Sequence, residues 1–240
     1  MDDFAPQSAT APGSQGQAAV WFDSPEDRRR RHDMVRQQIL ARGIRQPRLI
    51  RAMARLPRHF FTHSHERLVA YDDHAMPSDH GQTISQPLIV AVMTAALDAR
   101  PQQRILEIGT GTGYQTALLA MLYAQIFTVE HVRELSVAAQ ERLQHLGLNN
   151  ISYCVGDGSK GWEAHGPYDG ILVTAGAVVV PEPLLAQLAD GGRLIIPIGK
   201  QKLQMLKQFE RCGQEIRSTD ILECRFVPLV GEYGWQLGRS

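Results

Sequence analysis

A short segment near the middle of the chain combines an acidic residue with three closely spaced glycines. It reads Arg104-Ile-Leu-Glu-Ile-Gly-Thr-Gly-Thr-Gly-Tyr114. The apolar run predicts a buried strand, and the residues after the glycines have helical spacing. Glycine lets the backbone turn sharply and approach a ligand closely, so a strand, a glycine turn and a helix in succession are typical of nucleotide-binding proteins. The pattern alone does not identify the ligand.

Two acidic residues narrow the choice of ligand. The third glycine of a dinucleotide-binding turn is missing, because its place holds Thr116 or Tyr114, depending on the glycine from which one counts. Glu107, inside the strand, suits a ligand with positive charge better than a pyrophosphate. Glu130 ends the next predicted strand, about twenty residues after the glycines. An acidic residue at this spacing accepts hydrogen bonds from both hydroxyls of a ribose. These features favour S-adenosylmethionine over a nicotinamide cofactor or a purely structural turn.

A second segment offers hydroxyl and amide groups but no strong base. Gly81-Gln-Thr-Ile-Ser-Gln-Pro87 comes directly before an apolar helical pattern. It is either a binding loop that carries Thr83 and Ser85 or a plain turn in which Ser85 caps the helix, with Pro87 near the helix start. The residues alone leave both interpretations open.

Strands and helices alternate from residue 100 onward. Strands are predicted at residues 104–108, 126–130, 151–155, 170–174, 193–197, 203–211 and 219–229. The alternation predicts an α/β fold with a doubly wound, mostly parallel sheet of seven strands and right-handed crossovers, in which the last two strands form an antiparallel hairpin. Ligands of such sheets bind beyond the carboxyl ends of the strands.

The turn Gly156-Asp-Gly158 follows one of these strands and should therefore reach the same edge of the sheet. Asp157 is placed there to accept a hydrogen bond from an adenine amino group. The alternative is an ordinary Asp turn.

The N-terminal part of the chain has a different character. Residues 1–23 contain few large apolar groups apart from Trp21 and Phe22, and we expect them to be disordered. Residues 24–240 are expected to form one domain, with helices and the loop at 81–87 in residues 24–99 and the cofactor-binding sheet in residues 100–240. A first helix is predicted to start at Ser24 and to run to Gly43.

Bulk composition excludes several classes of function. Lys plus Arg and Asp plus Glu are equal at 25 each, so no overall field favours nucleic acid or an anionic membrane. Arg28 to Arg31 are interpreted as a solvated helix face. His59, His63 and His65 lack further ligands at metal spacing, so no metal site is expected.

The expected compartment is the cytoplasm. The three cysteines are odd in number and widely spaced, which is typical of free thiols in a reducing compartment. No apolar run reaches the length of a membrane span, and the N-terminus does not read as a signal peptide.

Several segments together resemble the protein-L-isoaspartate O-methyltransferase family. They are Gly81-Gln-Thr-Ile-Ser-Gln-Pro87, Leu106-Glu-Ile-Gly-Thr-Gly-Thr-Gly-Tyr114, Gly156-Asp-Gly158, Tyr168-Asp-Gly-Ile-Leu-Val-Thr-Ala175 and Arg225-Phe-Val-Pro-Leu-Val230. The resemblance implies a Rossmann-like class I fold. It also implies methyl transfer from S-adenosylmethionine to the free α-carboxylate of L-isoaspartyl residues in damaged proteins and peptides, which begins their repair to L-aspartyl. We expect a monomer that binds neither nucleic acid nor membrane.

The resemblance also implies roles for individual residues. Ser85 is assigned to the active site. The residues expected near the cofactor are Thr83, Ile84, Gln86, Glu107, Gly109, Thr110, Gly111, Glu130, Asp157 and Gly158. The main chain of residues 225–230 is expected to grip the peptide. Residues 175–180 depart from the family pattern, and there Gly176 is expected to add mobility and the valines to narrow or reshape the peptide cleft.

Rival functions fit the residues less well. A nucleic-acid base methyltransferase would carry Asn/Asp-Pro-Pro-aromatic where this chain has Thr-Ala-Gly-Ala. An enzyme that methylates a small-molecule hydroxyl would need a base or a metal near the methyl group. A cofactor-binding protein without catalysis would have no use for Thr83, Ser85 and Gln86. Another carboxylate or a small-molecule acceptor remains the alternative substrate.

Overall fold

The computed structural model describes residues 22–235. The expectations for residues 1–21, including disorder and docking of Trp21, lie outside the described residues. At the end of the segment expected to be disordered, the carboxylate of Asp23 accepts two hydrogen bonds from Arg31, of 3.0 and 3.1 Å.

One seven-stranded sheet forms the centre of the molecule, in the order β5-β4-β3-β6-β7-β8-β9. Its strands are β3 (Arg104–Ile108), β4 (Gln125–Glu130), β5 (Ile151–Val155), β6 (Tyr168–Val173), β7 (Leu188–Lys200), β8 (Leu203–Cys212) and β9 (Glu215–Cys224). The pairs from β5 to β7 are parallel, and β8 pairs antiparallel with both β7 and β9. This confirms the predicted doubly wound sheet with its C-terminal hairpin.

Six α-helices and one short ladder accompany the sheet in the described part of the chain. The helices are α1 (Pro25–Met34), α2 (Pro47–Arg55), α3 (Pro87–Leu97), α4 (Tyr114–Leu122), α5 (Arg133–His145) and α6 (Glu182–Ala186). Strands β1 (Met76–Pro77) and β2 (Thr83–Ile84) pair antiparallel. Short 3₁₀ turns lie at Arg58–Phe61, Ser64–Glu66, Asp79–Gly81, Gly158–Lys160 and Glu163–His165.

The first helix begins and ends where the sequence predicts. Ser24 and Asp27 form a reciprocal capping box at its start. Beyond α1 the helix continues as a π-helical turn (Val35–Ile39) and a 3₁₀ turn (Leu40–Arg42). It ends at Gly43, whose φ of 86° suits glycine. Among the described residues, no helix has the length and apolar character needed to cross a lipid bilayer.

Both faces of the central strands are buried. Ile105 belongs to the core cluster under α1 to α4, whereas its neighbour Leu106 belongs to the cluster on the opposite face, and both are 0% exposed. A strand covered on both faces needs apolar residues at successive positions, which explains the continuous apolar run in β3.

The last strand is shorter than predicted. The sequence predicts a strand over residues 219–229, but β9 ends at Cys224 and residues 225–230 leave the sheet. Two features end the ladder. The buried Gln204 side chain accepts from Phe226 N (2.7 Å) and donates to Phe226 O (3.3 Å), and Pro228 has no N–H for a further ladder bond.

Gly176, which follows the carboxyl end of β6, is hydrogen-bonded to the segment of residues 225–230. Its N–H donates to Val227 O and its carbonyl accepts from Leu229 N, both at 2.8 Å. A β-carbon at Gly176 would lie 2.5 Å from Gln204 Nε2, so a side chain is excluded while Gln204 holds Phe226. The expectation that Gly176 adds mobility is therefore wrong, because backbone hydrogen bonds pin this residue on both sides.

We expect Gly176→Ala to lower the free energy of unfolding by about 1–3 kcal/mol, since the new methyl group must displace the buried Gln204 amide. Gly156→Ala is the matched control, because its β-carbon would meet only Cys154 Sγ at 3.9 Å. Urea denaturation of both variants measures the effect. Equal stability of the two variants would contradict the proposed packing at Gly176.

Candidate functional site

An open cleft of about 890 Å³ lies beyond the carboxyl ends of β3, β4 and β6. Three segments form most of its walls: the loop at residues 82–85, the glycine turn at residues 109–112, and residues 227–230. Glu130, His131, Gly158 and Thr174 are among the other residues that line it. The cleft occupies the edge at which ligands of doubly wound sheets bind.

The glycine turn is held by the strands on both sides of β3. Gly109 N donates to Val129 O on β4 (2.8 Å), and Thr174 Oγ1 donates to Gly109 O (2.7 Å). Gly109 has a φ of 93°, and a β-carbon there would overlap Thr174 Oγ1. The turn therefore requires glycine and places backbone atoms directly on the cleft.

Glu130 stands at the end of β4 with its carboxylate held by main-chain donors. Gly111 N donates to Oε2 (2.9 Å) and Val132 N donates to Oε1 (3.0 Å), and the residue is 7% exposed. Each oxygen keeps a further lone pair that can accept from a hydroxyl. A rigid carboxylate beside a glycine turn fits the two hydroxyls of a ribose, as the sequence predicts.

Glu107 lies in the protein interior rather than on the cleft wall. It is 0% exposed, and its Oε2 accepts from Thr116 Oγ1 (2.6 Å) and Thr128 Oγ1 (2.7 Å). Burial raises the pKa of Glu107 to about 8, so the neutral carboxylic acid is favoured at pH 7. The idea that its negative charge faces a cationic ligand is not supported by this position, and its cofactor role stays a prediction.

The loop before α3 presents hydroxyl groups to the cleft. Thr83, Ile84 and Ser85 all line it, and within the described part of the chain the Ser85 hydroxyl makes no hydrogen bond. The N-cap of α3 is Gln86, without a side-chain cap. Ser85 therefore does not cap the helix. Gln86 Nε2 donates to Asp73 Oδ1 (2.9 Å), so its side chain is engaged elsewhere.

Asp157 and Gly158 differ in their relation to the cleft. Gly158 lines it, and a β-carbon there would lie 2.5 Å from Ile108 Cγ2. The Asp157 carboxylate accepts from Ser159 N and Ser159 Oγ through Oδ1 and from Glu232 N through Oδ2 (2.8 Å). Oδ2 retains a lone pair, so acceptance from an adenine amino group stays a prediction.

The structure adds residues that the sequence did not single out. Arg58 is 0% exposed and donates from Nη2 to Ser85 O (2.8 Å), and Thr174 and Gln204 hold the glycine turn and residue 226. Their partners are main-chain atoms distant in sequence, so no local motif marks them. Val178 and Val179 are 53% and 65% exposed and do not line the cleft, so an effect of these valines on a bound peptide stays a prediction.

A cluster of ligand-type groups lies in the N-terminal layer. Atoms of Asp23, Asp27 and His59 lie within 4.8 Å of one another. Arg31 pairs with Asp23 and Arg67 pairs with Asp27, so guanidinium groups already compensate both carboxylates. We assign no metal to this cluster.

The fold and the cleft define the class of protein, an α/β methyltransferase of class I. The family profile described as Protein-L-isoaspartate(D-aspartate) O-methyltransferase matches residues 29–234. The chain belongs to this family.

Two relatives resemble the chain along most of their length. Protein-L-isoaspartate O-methyltransferase 2 of Pelobacter propionicus is 49% identical over 208 residues, covering 86% of this chain and 92% of that protein. The protein-L-isoaspartate O-methyltransferase of Dictyoglomus thermophilum is 45% identical over 216 residues, covering 90% and 97%.

Solved structures agree with this assignment. A protein-L-isoaspartate O-methyltransferase superposes with a TM-score of 0.77 at 30% identity, covering 85% of this chain and 67% of that one. A putative protein-L-isoaspartate O-methyltransferase of Plasmodium falciparum, solved with S-adenosyl-L-homocysteine, has a TM-score of 0.73 at 23% identity and coverages of 83% and 98%. The second likeness bears on the fold alone.

We expect Glu107 to make the stability of the ligand-free protein fall as pH rises. Its pKa is about 8 when folded and 4.5 as the ordinary value, so between these values the folded state holds a proton that the unfolded chain has released. The side chain of Glu107→Gln stays neutral throughout. The free energy of unfolding of this variant, relative to that of wild type, should therefore rise by about 2–5 kcal/mol between pH 5 and pH 8.

Urea denaturation across this pH range, with the exposed Glu141→Gln as control, measures the difference. Parallel stability curves for wild type and Glu107→Gln would contradict the burial of an uncompensated carboxyl group.

Proposed function

We propose that this chain transfers the methyl group of S-adenosylmethionine to the free α-carboxylate of L-isoaspartyl residues in damaged proteins and peptides, and so begins their repair to L-aspartyl. The observation that carries the proposal is the cleft itself. It sets a hydroxyl-bearing loop around Ser85 against a glycine turn with a ribose-type acid, Glu130. Family membership supplies the reaction, and the cleft geometry explains how this chain would perform it.

The residues present fit S-adenosylmethionine. Glu130 would accept from the ribose, Gly109, Thr110 and Gly111 would border the cofactor, and Gly158 would lie against the adenine beside Asp157. When bound, this cofactor supplies a methyl group on positively charged sulfur.

The acceptor needs no base. A carboxylic acid with a pKa near 4 is ionised at pH 7, so no proton must leave before it reacts. A carboxylate oxygen forms the bond to the methyl carbon while the carbon–sulfur bond breaks and its electron pair remains on sulfur. Positioning and exclusion of water supply most of the acceleration of such a displacement.

Ser85 is the residue to which we assign positioning of the acceptor. Its free hydroxyl can donate to a carboxylate without placing a full positive charge on the nucleophile. His131 also lines the cleft, next to Glu130, and is exposed. The transfer gives an imidazole no proton to remove, and we assign it no catalytic role.

Residues 225–230 are proposed to contact the peptide. Val227 to Val230 line the cleft, but Val227 O and Leu229 N are already bonded to Gly176. A bound peptide would therefore use the remaining main-chain groups of this segment.

The proposed setting is a monomer in the cytoplasm that acts on proteins rather than on nucleic acid or membrane. The free cysteines Cys154, Cys212 and Cys224 suit a reducing compartment. Equal numbers of acidic and basic side chains give no field for nucleic acid.

Two synthetic peptides that differ only in L-isoaspartate or L-aspartate test the proposal, with labelled S-adenosylmethionine as donor. We expect transfer to the isoaspartyl peptide alone. Equal transfer to both peptides, or transfer to neither with cofactor binding intact, would overturn the substrate assignment and favour another carboxylate or a small-molecule acceptor.

Ser85→Ala should lower kcat about 10- to 100-fold, the loss expected for one hydrogen bond to a charged group. Cofactor affinity should change less than about threefold, because the cofactor is held mainly by the glycine turn and Glu130. Ser218→Ala, on the exposed part of β9, is the control. Initial rates with the isoaspartyl peptide and calorimetric binding of S-adenosylhomocysteine separate the two effects. An unchanged kcat would remove Ser85 from the active site.

Glu130→Gln should act on the cofactor rather than on turnover. Loss of a charged acceptor for the ribose hydroxyls should weaken S-adenosylhomocysteine binding about 10- to 100-fold, with kcat at saturation changed far less. The exposed Glu134→Gln on α5 is the control, and calorimetry is the measurement. If binding were as tight as in wild type, the ribose would have to lie elsewhere.

A further inference from the structure

Arg58 is an arginine buried directly behind the wall of the cleft. It is 0% exposed, and its guanidinium donates from Nε to Ala70 O and from Nη2 to Ser85 O, both at 2.8 Å. Through the second bond it holds the main chain of the residue whose hydroxyl faces the cleft.

No carboxylate compensates the charge of Arg58 within residues 22–235. Its hydrogen bonds of regular geometry there go to the neutral carbonyls of Ala70 and Ser85, and its other polar neighbour, the hydroxyl of Tyr114, is neutral as well. Arg31 offers a contrast, because it is 4% exposed by side chain yet paired with Asp23 at 3.0 Å. Burial of an unpaired charge is costly, and burial lowers the pKa of Arg58 from its ordinary value. A feature with this cost calls for a compensating anion.

The guanidinium contacts two residues that line the cleft, Ser85 and Tyr114. Its central carbon lies 4.8 Å from the centroid of the Tyr114 ring. Tyr114 and Ser85 both line the cleft, whereas Arg58 contacts them from behind. An anion bound against Ser85 would therefore experience the positive charge through protein rather than through bulk water.

We propose that Arg58 is a positioning residue that fixes Ser85 through its carbonyl and whose unpaired positive charge makes the cleft select an anionic acceptor over a neutral one. The inference rests on the proposed function, since the acceptor there is a carboxylate. If the two opposite charges lie about 8 Å apart at an effective dielectric constant of about 20, their attraction strengthens binding of the anionic acceptor roughly 30-fold. This effect is independent of any direct contact between Arg58 and the acceptor.

The test compares two ligands that differ in one charge. One is the L-isoaspartyl peptide, and the other is the same peptide with its free α-carboxylate converted to a carboxamide. Their affinities are measured calorimetrically with the S-adenosylhomocysteine-loaded protein. The ratio of the two affinities reports on charge selection, whereas a purely structural change would weaken both ligands together.

Three variants separate charge from tethering. Arg58→Met should reduce the acid-to-amide ratio about 10- to 30-fold and also lower kcat, with affinity for S-adenosylhomocysteine within about threefold. Arg58→Lys should keep the acid-to-amide ratio within about threefold of the wild-type value. It should still lower kcat, because an ammonium group does not reproduce the two guanidinium hydrogen bonds to Ala70 O and Ser85 O. Arg31→Met, the matched buried control, should lower the Tm and leave the ratio unchanged.

The outcomes are distinguishable. An unchanged ratio in Arg58→Met, with wild type active on the acid peptide, would overturn the inference and leave the proposed function intact. Inactivity of wild type on the isoaspartyl peptide would overturn the proposed function itself. If Arg58→Met does not fold, Arg58→Gln decides, because the glutamine amide keeps a hydrogen-bond donor without the charge: a ratio reduced about 10-fold or more supports the inference, and an unchanged ratio contradicts it.

Discussion

The parallel pairing of β3 with β4 and β6 is the constraint on which the cleft depends. It brings the ends of the three strands to one edge, where Gly109 N donates to Val129 O and Thr174 N donates to Ile108 O, at 2.8 and 2.9 Å. Because backbone bonds fix the glycine turn from both sides, the turn does not have to be ordered by a ligand. Glu130, the last residue of β4, is then presented beside the turn by the same ladder, so the part of the cleft that we propose for the cofactor is formed in advance.

The acceptor half is built differently, from segments outside the sheet that buried side chains hold in place. Arg58 fixes the loop at Ser85, and Gln204 fixes the segment after β9 by bonding both main-chain groups of Phe226. Gly176 joins that segment to β6. In each case the tether is a hydrogen bond to main-chain atoms, and losing one such buried bond costs more than making it gains. These tethers explain how a loop without regular structure can hold a hydroxyl in a defined position.

The sequence predicted the sheet well because parallel strands covered on both faces leave a continuous apolar signal, as in β3. It also placed the glycine turn and Glu130 at the carboxyl edge of the sheet, since both depend on local spacing, and their roles toward the cofactor stay predictions. It failed where long-range contacts decide: β9 ends at Cys224 because of Gln204, and Gly176 is pinned rather than mobile. Glu107 was expected to face a ligand, but the sequence could not reveal that Thr116 and Thr128 enclose its carboxyl group. Arg58 carried no motif, because its partner carbonyls belong to distant residues.

The central claim is that the cleft methylates a carboxylate that is already ionised, without a base. The dependence of kcat/KM on pH, measured with the isoaspartyl peptide from pH 5 to pH 8, tests it most directly. A base-free transfer should give a value that varies less than about threefold across this range, because the acceptor titrates near pH 4. A rise of tenfold or more from pH 5 to pH 8 that His131→Asn abolishes would show that an imidazole takes part and would contradict the claim.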